Sequence, residues 1–459
     1  MRAPERLSVP AIDLPTLAQV HQQVASRRRV TLCLVSLSAF LSPLATTIYL
    51  PVINVVKRDL GASSHEIVLT MSLFMVMYGI MPVIWGALSD WKGRRRILLI
   101  AGIIYSVFSI FCCLAWNVYV LIVCRMFQAI GAAAGLTVGA GTIADVYPPD
   151  QRGAAIGVFV VVPLVATLLG PVIGGIVGHG ILSWRGVFLL LSFLCLGVVL
   201  LTYYFLDETL PRSQLECESS ITKQLYQTAM LITNGSILNA ASLSAVTYSG
   251  YYALLTVFPE MVERNFDYNS VEIGLAFIPF GVGVMLGSYT GGLTADWIEI
   301  ETRRKEFRLV PACICSPAFA LCLSLTAWSL YLPDVRLTFV LLFSFFTGMF
   351  YAIPRPGMST FVIEKAKSIV GTEVASSVTG LMYSAMYGLS AISSQAAGMA
   401  SGTIGVAWFL TIWGGVVLIF SAIMCAVAYF LVHRTSIARV PTTEPEELEP
   451  IELEIITEK

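Results

Sequence analysis

What most constrains this chain is that its apolar residues come in long runs separated by short polar ones. A bilayer core of about 30 Å takes about 20 helical residues to cross. Runs of that order fall at 30–50, 67–89, 97–116, 118–144, 153–178, 186–206, 236–258, 272–293, 309–331, 337–362, 374–397 and 404–432. Of 459 residues, 56% are hydrophobic and 12% are charged. Soluble domains average about 45–50% apolar and about 25% charged, so most of this surface must face lipid. The expectation is an all-α membrane protein with twelve transmembrane helices. A net charge of −1 implies neither nucleic acid nor an acidic partner. The ten Cys lie nearly all inside apolar runs. Their spacing gives no metal site or disulfide framework, and they read as small hydrophobes.

The first apolar run begins only after Arg27-Arg28-Arg29 and is long enough to span. It reads as a first helix and not as a cleaved signal. The longest connection, 207–233, carries Asp207, Glu208, Arg212, Glu216, Glu218 and Lys223 and divides six spans from six. The expected organisation is a tail at 1–29, a six-helix bundle at 30–206, the connection at 207–233, a second bundle at 234–433 and an acidic tail at 434–459. Of 28 Lys and Arg, 21 fall on the side that holds both tails and 5 on the other (Lys57, Arg58, Arg185, Arg264 and Arg336). That asymmetry places both termini in the cytoplasm.

Five charges fall between Asp90 and Arg96, at the end of the second span. The bland reading is a basic loop that sets orientation. The sharper one is a latch, in which Asp90 pairs with cations across a moving helix interface. The pattern recurs. Gly86-Ala87-Leu88-Ser89-Asp90-Trp91 is followed by Arg94-Arg95-Arg96, and Gly292-Leu293-Thr294-Ala295-Asp296-Trp297 by Arg303-Arg304-Lys305. Each ends the second span of its half, on the same expected face. Two pseudo-symmetric six-helix bundles with a site at their interface is a transporter architecture.

Three motifs then carry a resemblance over the whole chain. Gly86, Leu88, Asp90, Gly93, Arg94 and Arg95 lie between spans 2 and 3; Arg125, Gln128, Ala129 and Gly131 lie on span 4; Ala166, Gly170, Pro171, Gly174 and Gly175 lie on span 5. With Trp184-Arg185 and Asp207-Glu208-Thr209-Leu210-Pro211 at the ends of span 6, the sequence resembles the major facilitator superfamily. Within it the likeness is to the fungal twelve-span drug:proton antiporters and organic-acid exporters. Trp91 stands where that family often has a basic residue. The resemblance implies the major facilitator fold, alternating access, an Asp90 latch that stabilises the outward-facing state, and a span 5 bend that seals leaks. It also implies proton coupling, with no cofactor, and a plasma-membrane location.

Individual residues allow bland readings beside functional ones. Arg125 is a cation inside a span, which costs at least about 2.5–3.5 kcal/mol; it reads either as a snorkelling residue or as part of a proton-coupling or substrate region with Gln128. No Asp or Glu stands in the middle of any span, and the first span offers only hydroxyls from Ser36 to Tyr49. Asp145, at the end of span 4, is the nearest acid and reads either as part of that proton-coupling or substrate region or, more readily, as a second latch residue. Arg152 or one of Arg94 to Arg96 is the expected partner of Asp90. Arg355 lies between Pro354 and Pro356, where span 10 should break and could bind a carboxylate. Tyr248, Tyr251, Tyr252, Tyr351, Tyr383, Tyr387, Gln128 and Gln395 could line a moderately apolar cavity, although each alone is as readily a packing residue. The four His are scattered, and no metal or nucleotide motif appears.

The leading expectation is a proton-coupled exporter of a drug or secondary metabolite, working as a monomer in the bilayer. Export of an organic acid, such as a di- or tricarboxylate, is the first alternative, and nutrient uptake the second. An enzyme would need convergent His, Asp or Glu inside the spans, and none is present.

Overall fold

The computed structural model describes residues 14–210, 234–302, 305–332, 335–370, 375–400 and 404–437. Most of the connection expected at 207–233, the acidic tail and the Arg303-Arg304 pair lie outside the described residues. The helices are α1 (Leu14–Thr47), α2 (Ile53–Asp59), α3 (Ser64–Lys92), α4 (Arg94–Cys113), α5 (Val118–Ala132), α6 (Ala134–Val146), α7 (Pro149–Gly178) and α8 (Ser183–Phe205) in one half. The other half has α9 (Gly235–Phe266), α10 (Ser270–Ala276), α11 (Ile278–Thr302), α12 (Val310–Tyr331), α13 (Leu337–Ala352), α14 (Pro354–Val370), α15 (Ala375–Ala400) and α16 (Val406–Ile437). Spans 4, 8 and 10 are thus each two helices in series.

Ten stretches among the described residues are long and apolar enough to cross a membrane. α9 and α15 occupy the places of expected spans 7 and 11 and are 32 and 26 residues long, but are not among those ten. Their position explains their lower apolarity. α9 packs on α15, and α15 packs on α3 of the other half. A helix enclosed by protein can carry Ser, Thr and Tyr that lipid would penalise.

Helix starts follow the local sequence. Ser63 accepts from the Glu66 N–H while the Glu66 side chain accepts from Ser63 N–H, a reciprocal cap on α3. Asn269 and Glu272 do the same for α10. Asn117 caps α5, its side chain accepting from Val120 N–H at 2.8 Å. Asn234, the acceptor residue of an Asn-Gly-Ser sequon, spends its side-chain oxygen on capping α9.

Between helices, small residues and hydroxyls set the spacing. Ser106 on α4 and Ser192 on α8 each donate to the other's backbone carbonyl, at 3.1 and 3.0 Å. Gly170, Gly174 and Gly178 lie four residues apart, on one face of α7. A Cβ at Gly174 would stand 1.9 Å from the Ile48 carbonyl oxygen, and one at Gly170 2.0 Å from Thr47 Oγ1. Gly175 turns the other way, and its Cβ would meet the Ser270 carbonyl at 2.4 Å. The span 5 motif therefore wedges α7 between α1 of its own half and α10 of the other. Gly86 is different: a Cβ there would meet only Thr137 Cγ2, at 3.5 Å. An alanine would fit there at ordinary contact distance, so the packing does not require glycine at Gly86.

Gly174→Val should therefore lower the thermal midpoint and membrane yield, by at least about 1–3 kcal/mol of overpacking. Gly157→Val on the same helix, where a Cβ would meet nothing within 4 Å, should leave both unchanged. Equal tolerance at the two positions, by thermal unfolding in detergent, would remove the packing role.

Candidate functional site

The charges of the molecule sit at its two faces. At one, Arg94 Nη1 lies 2.5 Å from Asp90 and its Nε donates to Asp145 at 3.0 Å. A third bond runs from Arg94 Nη1 to Ser89 Oγ at 2.6 Å. One guanidinium thus ties the ends of α3, α4 and α6. All three charged groups are largely buried, with the Arg94 side chain 11% exposed. Screening is weak there, and charge-assisted bonds are correspondingly strong. Of the expected partners for Asp90, Arg94 is the one in place. Arg95 instead donates to the Tyr203 carbonyl at the end of α8, and Arg152 to the Ala144 carbonyl at the end of α6.

Gly93 separates α3 from α4 with φ +98°, a region that favours glycine. A Cβ there would also stand 2.4 Å from Glu208 Oε2. Glu208 closes the junction: its carboxylate accepts from the backbone N–H of Arg94 at 2.8 Å. An anion at a helix start satisfies an otherwise unpaired donor and opposes the helix dipole.

The second half builds its own cluster. Arg308, 12% exposed, bonds Asp296 at 3.4 Å and lies 3.9 Å from Glu364; it also pairs with Glu299. Among the described residues the cation that meets Asp296 is Arg308, twelve residues on. The ion pairs described in each cluster join groups of one half.

At the opposite face Arg185 Nη1 lies 2.6 Å from Asp59 within the first half, and two further ion pairs cross between the halves. Lys57 Nζ lies 3.3 Å from Glu260, Arg58 Nη1 2.5 Å from Glu263, and Asn54 Nδ2 donates to Glu263 at 2.5 Å. Gln395, expected to line the cavity, belongs with this closure. It accepts from Ser72 Oγ and donates to the His65 carbonyl, each at 3.3 Å, tying α15 to α3. It lies eight residues, about 12 Å of helix rise, beyond Tyr387. A cavity of about 280 Å³ lies beside the closure, lined by Asn54, Arg58, His179, Glu263 and Asn269 among others. Farther in, α7 meets α10 and α11 at Gly175, Pro171 and Leu168. Among the described residues, α5–α6 and α13–α14 make no extensive contact across the halves.

Between the faces lie two arginines with different fates. Arg125 is 1% exposed. It donates to the Ala45 carbonyl and to Gln128 Oε1, both at 3.0 Å, and Gln128 passes a bond to Ser109 at 2.7 Å. The Tyr49 and Phe74 rings lie 4.6 and 4.4 Å away. Carbonyls and ring faces replace the missing carboxylate. The residue is sealed inside the first half, so it neither snorkels nor faces the interface.

Arg355 is half-buried at the α13–α14 junction. The break expected there is slight, since Ile353 keeps helical dihedrals; the two prolines still remove N–H donors. Its guanidinium carbon lies 5.5 Å from the Tyr248 ring and 5.2 Å from Tyr351. Tyr351 stacks on Tyr251 at 4.2 Å, Tyr248 meets Tyr387 at 5.1 Å, and Tyr387 meets Tyr78 of the first half at 4.6 Å. Tyr383 lies 6.2 Å from Tyr387 and is only half-buried. The structure brings the expected tyrosines together as a packed cluster that reaches the partner half through Tyr78.

A family model described as the Major Facilitator Superfamily matches residues 35–395. The chain belongs to that superfamily. Citrate exporter 1 of Aspergillus niger is 29% identical over 317 residues, covering 62% of this chain and 60% of that protein's length. The chain thus aligns with less than two thirds of that relative. The MFS-type transporter penM of Penicillium rubens is 23% identical over 433 residues, 87% of this chain and 84% of its own length. The crystal structure of a D-xylose–proton symporter shares the fold, with a TM-score of 0.68 at 15% identity, over 86% of this chain and 96% of that one.

Sequence reasoning missed Glu208, Arg308 and Glu364, the Lys57–Glu260 and Arg58–Glu263 pairs, and Tyr78. The cross-face pairs had a usable signal: two cations after span 1 and two acids at the end of span 7 share a face in the expected topology. Asp90→Asn and Asp145→Asn should each lower transport with membrane insertion intact. Since both act through Arg94, the double variant should depart from additivity by about 0.5–3 kcal/mol in thermal unfolding. Strict additivity would show that Arg94 does not couple them.

Proposed function

We propose that this chain is a secondary active transporter that exports a small organic molecule, a drug-like compound or secondary metabolite, by rocking of its six-helix halves. It works as a monomer in the plasma membrane, with both termini in the cytoplasm and the proton gradient as its energy source. The observation that carries this reading is the division of the ion pairs. Among the described residues the ion pairs at the Asp90 face join groups of one half, and the two that join the halves to each other, Lys57–Glu260 and Arg58–Glu263, lie at the Lys57 face. A rocking motion must break the second set and spare the first. The tyrosine cluster, spanning both halves through Tyr78 and Tyr387, lies between the two faces.

One relative supports the export direction by name, a citrate exporter. In the proposed orientation Glu260 and Glu263 face outside, so the pairs that join the halves close that side.

The test is export of a compound panel from cells with and without the gene, at two external pH values. Faster efflux at the lower pH is expected for transported compounds. Absence of pH dependence for every exported compound would end the antiport reading.

A further inference from the structure

Among the described residues no carboxylate is paired with Arg355, and its guanidinium lies against the Tyr248 and Tyr351 rings. Those two ring centroids are 6.1 Å apart, little more than either is from the guanidinium carbon. Rings on opposite faces of the guanidinium would stand much farther apart, so both lie to one side of it. The residue is half-exposed, whereas Tyr248 and Tyr351 are buried at 4% and 3% exposure. The acid on its own helix, Glu364, is nine residues on and faces Arg308. Asp296 and Glu299 on the adjoining α11 are committed to the same Arg308.

A guanidinium presents five N–H donors and no acceptor. The ring faces stabilise its charge but accept none of these in-plane bonds at full strength. What completes such a group is a planar anion, and a carboxylate matches its two-pronged geometry. The surroundings are aromatic, with Tyr383 the half-buried phenol of the cluster, so the rest of the ligand should be apolar or aromatic and able to lie against rings.

The number of charges narrows the class further. The other arginine within the spans, Arg125, is sealed at 1% exposure. The cluster therefore offers one reachable cation. A tricarboxylate would bring two further charges into a region that lacks counter-ions, at a cost that grows with each uncompensated charge. One carboxylate on an aromatic body leaves none over.

Resting on the exporter reading above, we propose that Arg355 and its tyrosines select a monoanionic aromatic carboxylate, and that this chain differs in cargo from its citrate-exporting relative.

The experiment uses the purified full chain in detergent and three probes: 3-phenylpropionate, its uncharged amide and citrate. Binding is read by calorimetry. The acid should bind about tenfold to a hundredfold more tightly than the amide, the size expected for a charge-assisted pair, and more tightly than citrate. Arg355→Gln should bring acid and amide to the same affinity, and Arg355→Lys should restore part of the difference; thermal unfolding of each variant shows that it is folded. Equal binding of acid and amide by the unaltered protein, none included, overturns the proposal. So does a preference for the acid that survives in Arg355→Gln, or citrate binding as tightly as the acid. The export panel separates the two levels: neutral aromatics leaving cells as fast as acids would leave the exporter reading standing and remove this one, while no export at all would remove the exporter reading.

Discussion

Hydrocarbon tolerates charge poorly, and the arrangement of charge follows from that. Among the described residues every carboxylate lies toward a helix end or in a connection. Each face then acquires its own ionic network, and the interior retains two arginines. At the Asp90 face the described pairs join groups of one half: Arg94 with Asp90 and Asp145, Arg308 with Asp296, Glu299 and Glu364. At the Lys57 face two pairs bridge the halves. The halves are thus rigidified at one face and joined at the other.

The two interior arginines show how surroundings decide a residue's use. Both lie within helical spans and both lean on aromatic rings. Arg125 also has carbonyl and amide acceptors and is enclosed. Arg355 lacks such acceptors among the described residues and is half-exposed. The first is a packing element of its half, while the second is the charge around which the proposed cargo is bound.

Much of the fold was legible because lipid leaves little choice: runs of about 20 apolar residues must be helices. α9 and α15 were recognised by length and position, even though shielding by their neighbours lets them carry more polar side chains. The duplicated Gly-x-x-x-Asp-Trp pattern pointed to two halves and to Asp90. It did not reveal Arg308, which pairs with Asp296 from twelve residues on, outside the repeated pattern. Glu208 was invisible for a related reason. Its bond to Arg94 N–H spans 114 residues, and no periodicity in sequence records a contact of that range. Gln395 was assigned to the cavity because it shares a helix with Tyr387; two turns of rise carry it to the Lys57 face instead. Arg125 was visible as a buried cation, but enclosure is a property of the neighbouring helices and not of its own.

The central claim is that the pairs between halves at the Lys57 face hold one of two alternative states. Hydrogen exchange on the full chain tests it directly, with Glu263→Gln beside the unaltered protein. Weakening the closure should speed exchange at residues 50–62 and 260–269. It should slow exchange near the Asp90 face, around residues 86–96 and 380–384, as the halves close there instead. Faster exchange at both faces, or no change at either, would contradict the account.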